Sequence, residues 1–122
     1  MLAFVAATAK PTRLSRLIER DGPTCVWCGR DHQERALALE HVCPRSRGGV
    51  SAEENLLVSC RACHRARNSQ DATSFSRDRA QRGLTPRTGL LEETLEGLSR
   101  SPRRSHREYG QAEMGQIASS AS

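Results

Sequence analysis

Two Cys-x-x-Cys pairs, Cys25/Cys28 and Cys60/Cys63, stand 31 residues apart in this 122-residue chain. Two such clips can grip one tetrahedral zinc, and closing them forces the intervening segment to fold against the metal. That segment is polar and reactive: it contains Glu40, His41 and Asn55, with Arg45 and Arg47 between them. His64 follows directly on the last paired cysteine. A structural metal is also what a segment this small requires. Hydrophobic residues make up 36% of the chain, and its aromatics are Phe4, Trp27, Phe75 and Tyr109. A core that short of apolar surface needs a staple, and zinc contributes an apparent ~10–16 kcal/mol near neutral pH.

Charge and cysteine usage narrow the functional class. Residues 1–70 carry 11 Lys/Arg against 7 Asp/Glu, while residues 71–122 carry 8 against 7, so the basic excess lies in the first part. Four thiolates on one Zn²⁺ bring about −2 to that part, so the arginines act locally rather than through a global field. Arg45, Arg47, Arg65 and Arg67 lie close in sequence to the histidines, a pattern that suits phosphate contacts. The cysteines number five, four of them in clips, and no charged signal region precedes the apolar start Met1–Ala7. That start is too short to span a bilayer. The expectation is a reducing, cytoplasmic protein without a membrane partner.

Local signals give an order of elements. Thr12 is a candidate N-cap for a helix with Leu14, Leu17 and Ile18 on one face, stopped by Asp21-Gly22-Pro23. Gly29 supplies backbone freedom after the first metal knuckle. Ala36 to Val42 alternates as a strand does, Pro44 and Gly48-Gly49 enforce a loop, and Leu56-Leu57-Val58 suits a second strand pairing back. A helix from Arg61 to Asn68 then carries Cys63 and His64 in its first turn. Asp71 is placed to cap a helix running to Gln81, and Thr85-Pro86 to start another bearing Leu91, Leu95 and Leu98 on one face. From Ser99 onward Ser, Arg, Gly and Ala dominate, and this stretch is expected to be mostly disordered.

The set Cys25-x-x-Cys28, Glu40-His41-Val42-x-Pro44-x-Ser46-x-Gly48-Gly49, Glu54-Asn55-Leu56 and Cys60-x-x-Cys63-His64 resembles the HNH endonucleases, specifically their zinc-stapled bacterial and phage type. The resemblance covers roughly Arg13 to Gln70. It implies a small α+β fold: a ββα-metal, treble-clef-like nuclease unit over residues 12–70 with one structural zinc and an N-terminal helix. A helical extension (71–99) and a tail (100–122) follow.

The resemblance also assigns roles. His41 takes the place of the general base that activates water, a task for which a neutral imidazole suits physiological pH. Asn55 takes the place of the asparagine that orders the loop between the strands. Glu40 and His64 take the places of ligands to a catalytic divalent ion, Mg²⁺, Mn²⁺ or similar, distinct from the zinc held by Cys25, Cys28, Cys60 and Cys63. The implied substrate is DNA. Glu40 stands where the family often has aspartate, and Glu40 and His41 are neighbours that a regular strand would point to opposite faces. Two other readings fit the same residues: a zinc-stapled nucleic-acid-binding module without catalysis, and an assembly protein using the Leu91/Leu95/Leu98 face. Cys43 receives no role, and His32 and His106 read as surface residues. Oligomeric state is not specified by the sequence.

Overall fold

The computed structural model describes residues 10–121; Met1–Ala7, whose apolar run was read above, and Ser122 lie outside the described residues. Helix α1 (Arg13–Asp21) begins at Thr12, whose side chain accepts from the Ser15 amide while the Ser15 hydroxyl oxygen accepts from the Thr12 amide. This reciprocal cap satisfies amides that the first turn leaves without partners. The helix buries Leu17, with Leu14 and Ile18 packed against the core, and ends at Gly22 in a positive-φ conformation. Arg20 ties it to the sheet by donating to the Leu56 carbonyl at 3.1 Å.

Strands β1 (Leu37–His41) and β2 (Leu56–Cys60) form an antiparallel pair in which Leu37 faces Cys60 and His41 faces Leu56. Single 3₁₀ turns at Glu34–Ala36, Arg45–Arg47 and Glu53–Asn55 shape the connections. Helix α2 (Arg61–Arg67) leaves directly from β2, with Cys60 as its N-cap and the Cys60 sulfur accepting from the Cys63 amide. Strand, loop, strand and helix thus follow in the order expected, and the four paired cysteines cluster beside them. This is a small α+β, ββα-metal fold. The β-pair register puts Cys60 opposite the start of β1, so the second clip is fixed by sheet hydrogen bonds.

Three further helices surround this unit: α3 (Ala72–Gln81), α4 (Thr88–Ser99) and α5 (Arg104–Ala121). The stretch before α4 docks on the first knuckle, with the Thr85 amide donating to the Cys28 carbonyl and the Arg87 amide to the Val26 carbonyl. A side chain on Gly29, itself at positive φ, would drive into the Thr85 carbonyl. The glycine therefore serves both the knuckle turn and this close approach. Leu91, Leu95 and Leu98 are buried in the core, so the apolar face considered for a partner is covered by this chain. No described helix is long and apolar enough to cross a membrane.

The expected disorder from residue 100 is corrected: residues 104–121 form α5, which packs along α4. Its apolar content is low, but Gly110 lets the two backbones approach so closely that any Cβ there would strike α4 around Leu95, Leu98 and Ser99. Polar side chains supply much of what hydrophobic ones do not. The Ala72 amide donates to the Tyr109 hydroxyl at 2.9 Å and the Thr73 amide to the Glu113 carboxylate at 2.8 Å. Both amides belong to the first turn of α3, which intrahelical bonding leaves unpaired. Asp71 occupies the N-cap position as expected, yet makes no side-chain cap and pairs with Arg47 at 3.0 Å. The capping of α3 is done from α5.

Tyr109 also accepts from Arg67, so its hydroxyl serves two buried donors. Replacing Tyr109 with Phe leaves both without a partner and is expected to lower unfolding stability by about 1–3 kcal/mol, read as a lower urea midpoint at unchanged zinc content.

Candidate metal centre and active-site cleft

The sulfurs of Cys25, Cys28, Cys60 and Cys63 lie within 4.8 Å of one another, and all four residues are buried. Each clip uses backbone amides to shape itself. Cys25 Sγ accepts from the Trp27 and Cys28 amides at 3.3 and 3.5 Å, and Cys60 Sγ from the Cys63 amide at 3.4 Å. Burial pushes the Cys25 thiol up to about 11, and burial together with neighbouring thiols pushes Cys63 up further. Burial also acts to raise Cys60, but the backbone and side-chain hydrogen bonds it accepts hold its thiol below the ordinary value. Such a crowd of buried thiolates needs a compensating cation. The donor set and its compactness suit a structural metal such as zinc. His32, read from sequence as a surface residue, places Nε2 3.7 Å from Cys28 Sγ, where an N–H can support a thiolate.

On the other side of the sheet end, one cleft is lined by Leu39, Glu40, His41, Pro44, Arg45, Ser46, His64, Asn68 and Ser69. Glu40, His41 and His64 therefore meet, although Glu40 and His41 are strand neighbours. Glu40 is buried and densely held. Its Oε1 accepts from Trp27 Nε1 at 3.0 Å and the Ser59 hydroxyl at 2.9 Å, and lies 3.2 Å from His64 Nδ1; its Oε2 accepts from Arg67 at 3.0 Å. Burial works to raise this carboxyl, but His64, the Arg67 charge and Trp27 together hold it below the usual carboxylate range. The hydrogen bond to Glu40 raises His64 in return, against the effect of its partial burial. His64 is the exposed partner of the pair: its side chain is 43% exposed against 4% for Glu40.

His41 is half-buried, with Nε2 2.8 Å from the Ser51 hydroxyl. Desolvation lowers its pKa, reinforced by the positive charge of Arg45, so the neutral ring is favoured. Asn55 is buried behind the cleft. Its side-chain carbonyl accepts from the Cys43 amide at 2.7 Å, and its amide donates to the Cys43 and Val50 carbonyls at 3.0 and 3.1 Å. It ties the two ends of the loop together. The Cys43 thiol is buried and pushed up by that burial, away from the sulfur cluster.

The arginines divide. Arg65 is exposed on α2, and Arg45 is exposed at the cleft, donating to Ser51 at 3.3 Å. Arg47 pairs with Asp71 and stacks 5.1 Å above the Tyr109 ring, with 48% of its side chain still exposed. Arg67 is the correction. Its side chain has no exposure and cannot reach a phosphate. Its Nε donates to the Gln70 carbonyl, one terminal nitrogen to Glu40 and the His41 carbonyl, the other to the Val42 carbonyl and Tyr109, all between 2.7 and 3.1 Å. A guanidinium has five N–H donors, and all five are used.

Residues 25–78 match the family model described as HNH endonuclease. The likeness to HNH endonucleases covers under half of the 122-residue chain. The match begins at the first zinc-clip cysteine and ends inside α3, so α4 and α5 lie beyond it. No curated protein matches the chain. Within the matched segment, sequence reading missed Arg67, Trp27, Ser59 and Ser51 as residues that hold the cleft. Arg67 carried a signal: it lies four positions after Cys63, on the helix face that the metal clip buries.

Glu54, on the loop side, is partly exposed and accepts from Ser101 and His106, both at 2.6 Å. Burial acts to raise it, but these two hydrogen bonds outweigh that and hold it low. A carboxyl depressed on folding contributes stability that is present above its unfolded value, about 4.3 for Glu, and lost as pH falls through the folded value. Wild type is therefore expected to lose stability more steeply below that pH than Glu54→Gln, in parallel urea titrations. For the metal centre, one zinc per chain is expected by elemental analysis. Stripping it with a strong chelator, or Cys60→Ser, is expected to abolish the cooperative thermal transition.

Proposed function

We propose that the protein is a metal-dependent endonuclease that hydrolyses phosphodiester bonds in DNA. The reading is supported above all by the meeting of Glu40, His41 and His64 in one cleft within an HNH-family segment. His41, kept neutral by desolvation and by Arg45, takes a proton from the attacking water. Its ring is oriented by Ser51, in the manner of a base held by a third group. Asn55 acts one step back, holding the Cys43–Val50 loop that forms the cleft rim.

Glu40 and His64 would hold the catalytic ion. Their carboxylate and imidazole atoms already face each other, and this donor pair suits Mg²⁺, Mn²⁺ or a similar cation. Such an ion, when bound, polarises the phosphate and stabilises charge on the leaving oxygen. Two protein donors leave most of its coordination to water and phosphate, the usual arrangement for Mg²⁺. Arg67 partly neutralises Glu40, which predicts weak ion binding in the absence of DNA. Arg45 and Arg65 meet the backbone phosphates, with Arg47 a lesser contact because Asp71 competes for it. The four-thiol site persists in a reducing compartment, in keeping with a cytoplasmic setting.

The deciding experiment is nicking of supercoiled plasmid with Mg²⁺ or Mn²⁺. His41→Ala is expected to reduce the rate by about 10²–10⁴-fold while zinc content stays at one per chain. Equal cleavage by both proteins removes His41 from the mechanism. Salt-sensitive DNA binding without cleavage under any divalent ion would assign the chain to the non-catalytic module instead.

A further inference from the structure

A path of hydrogen bonds joined by one peptide link runs from α5, beyond the family-matched segment, to the ring of His41. It starts at His106, which has no exposure despite its polar ring. His106 Nε2 accepts the Val50 amide proton at 3.1 Å. A ring nitrogen that accepts carries no proton, so the hydrogen of the neutral ring sits on Nδ1, 2.6 Å from the Glu54 carboxylate. The Ser101 hydroxyl donates to the same carboxylate oxygen, which fixes the acid in place. Val50 is thus held at its amide by His106 and at its carbonyl by Asn55.

The next residue is Ser51. Its hydroxyl oxygen lies 2.8 Å from His41 Nε2 and 3.3 Å from the Arg45 guanidinium. His41 Nδ1 makes no hydrogen bond among the described residues, and a base needs one nitrogen with a free lone pair. With the proton on Nε2, Ser51 accepts from both His41 and Arg45, one lone pair for each, and Nδ1 is left to take a proton. The stretch that carries Ser51 follows Gly48, whose carbonyl accepts from the Ser105 hydroxyl at 2.8 Å, so α5 grips this rim at Gly48 as well as at Val50.

The geometry points to His106 and Ser51 as positioning residues for the base: α5 pins the Val50–Ser51 backbone, and Ser51 sets the orientation and tautomer of His41. The assignment rests on His41 acting as the general base. It makes the C-terminal helix part of the catalytic centre without touching substrate.

Two half-replacements separate this role from packing. His106→Gln keeps an acceptor for the Val50 amide, whereas His106→Asn keeps a donor toward Glu54 but falls short of Val50. His106→Asn and Ser51→Ala are each expected to lower kcat of plasmid nicking by about 10- to 100-fold, with KM unchanged and one zinc per chain. His106→Gln is expected to recover most of the loss. Because both residues act along one path, the double variant Ser51→Ala/His106→Asn is expected to be no slower than Ser51→Ala. Wild-type kcat in His106→Asn, equal losses in the Asn and Gln variants, or losses that multiply in the double variant would each overturn the inference.

A spectroscopic arm works without catalysis. The His41 Nε2–H resonance, assigned by its loss in His41→Ala, is expected in wild type and His106→Gln and exchanged away in Ser51→Ala and His106→Asn. That pattern in a protein that cuts no DNA refutes the nuclease reading and leaves the path standing. A protein that cuts DNA through His41, with the resonance unaffected in His106→Asn, sinks the path alone.

Discussion

The guanidinium of Arg67 is the interaction around which the rest is built. Moving a charge of that size out of water costs several kcal/mol even after the protein relaxes. Here the cost is offset by a carboxylate, three carbonyls and a phenol, and by the face of Trp27 5.1 Å away. Those partners come from β1, the turn after it, the end of α2, and α5. Trp27, which stands between the zinc-clip cysteines, meets Phe75 of α3 edge-on at 5.2 Å and donates to the same Glu40 that Arg67 holds. One buried cation therefore couples the metal knuckle, the cleft acid and the C-terminal helix.

This coupling explains how a chain with so few aromatics orders a polar cleft. The clustered sulfurs bring the two clips together, and the sheet register fixes β1 against β2, but neither determines where the Glu40 carboxylate points. Four donors do that, from Trp27, Ser59, His64 and Arg67. Three of them are buried. The fourth, His64, is partly exposed. The acid is buried and held by several donors, whereas its histidine partner faces solvent.

Much of the ββα-metal unit was legible in the residues. The clips, the Thr12 cap, the strand alternation and the glycine after the first knuckle follow local rules, and the structure places them where those rules say. Arg67 was misread because basic residues near a candidate phosphate site look alike in sequence. Only its helical phase relative to Cys63 distinguishes a buried arginine from Arg65, which is exposed. The tail was misread for a related reason. His106, Tyr109, Gly110, Glu113, Met114 and Ile117 recur at helical spacing, but half of that stripe is polar or lacks a side chain, so it gives no hydrophobic signal. Its ordering comes from hydrogen bonds to distant amides and from a backbone approach that glycine permits, neither of which composition reveals. Ser51 and Trp27 Nε1 act through single contacts across the fold, which no local pattern announces.

The seat of α3 on α5 has a consequence for what counts as a module here. The matched segment ends within α3, whose first two amides are satisfied by Tyr109 and Glu113, more than thirty positions downstream. The stretch that matches the family model is thus shorter than the stretch these hydrogen bonds tie together. A segment cut at residue 78 would take the phenol from Arg67 and leave both α3 amides bare.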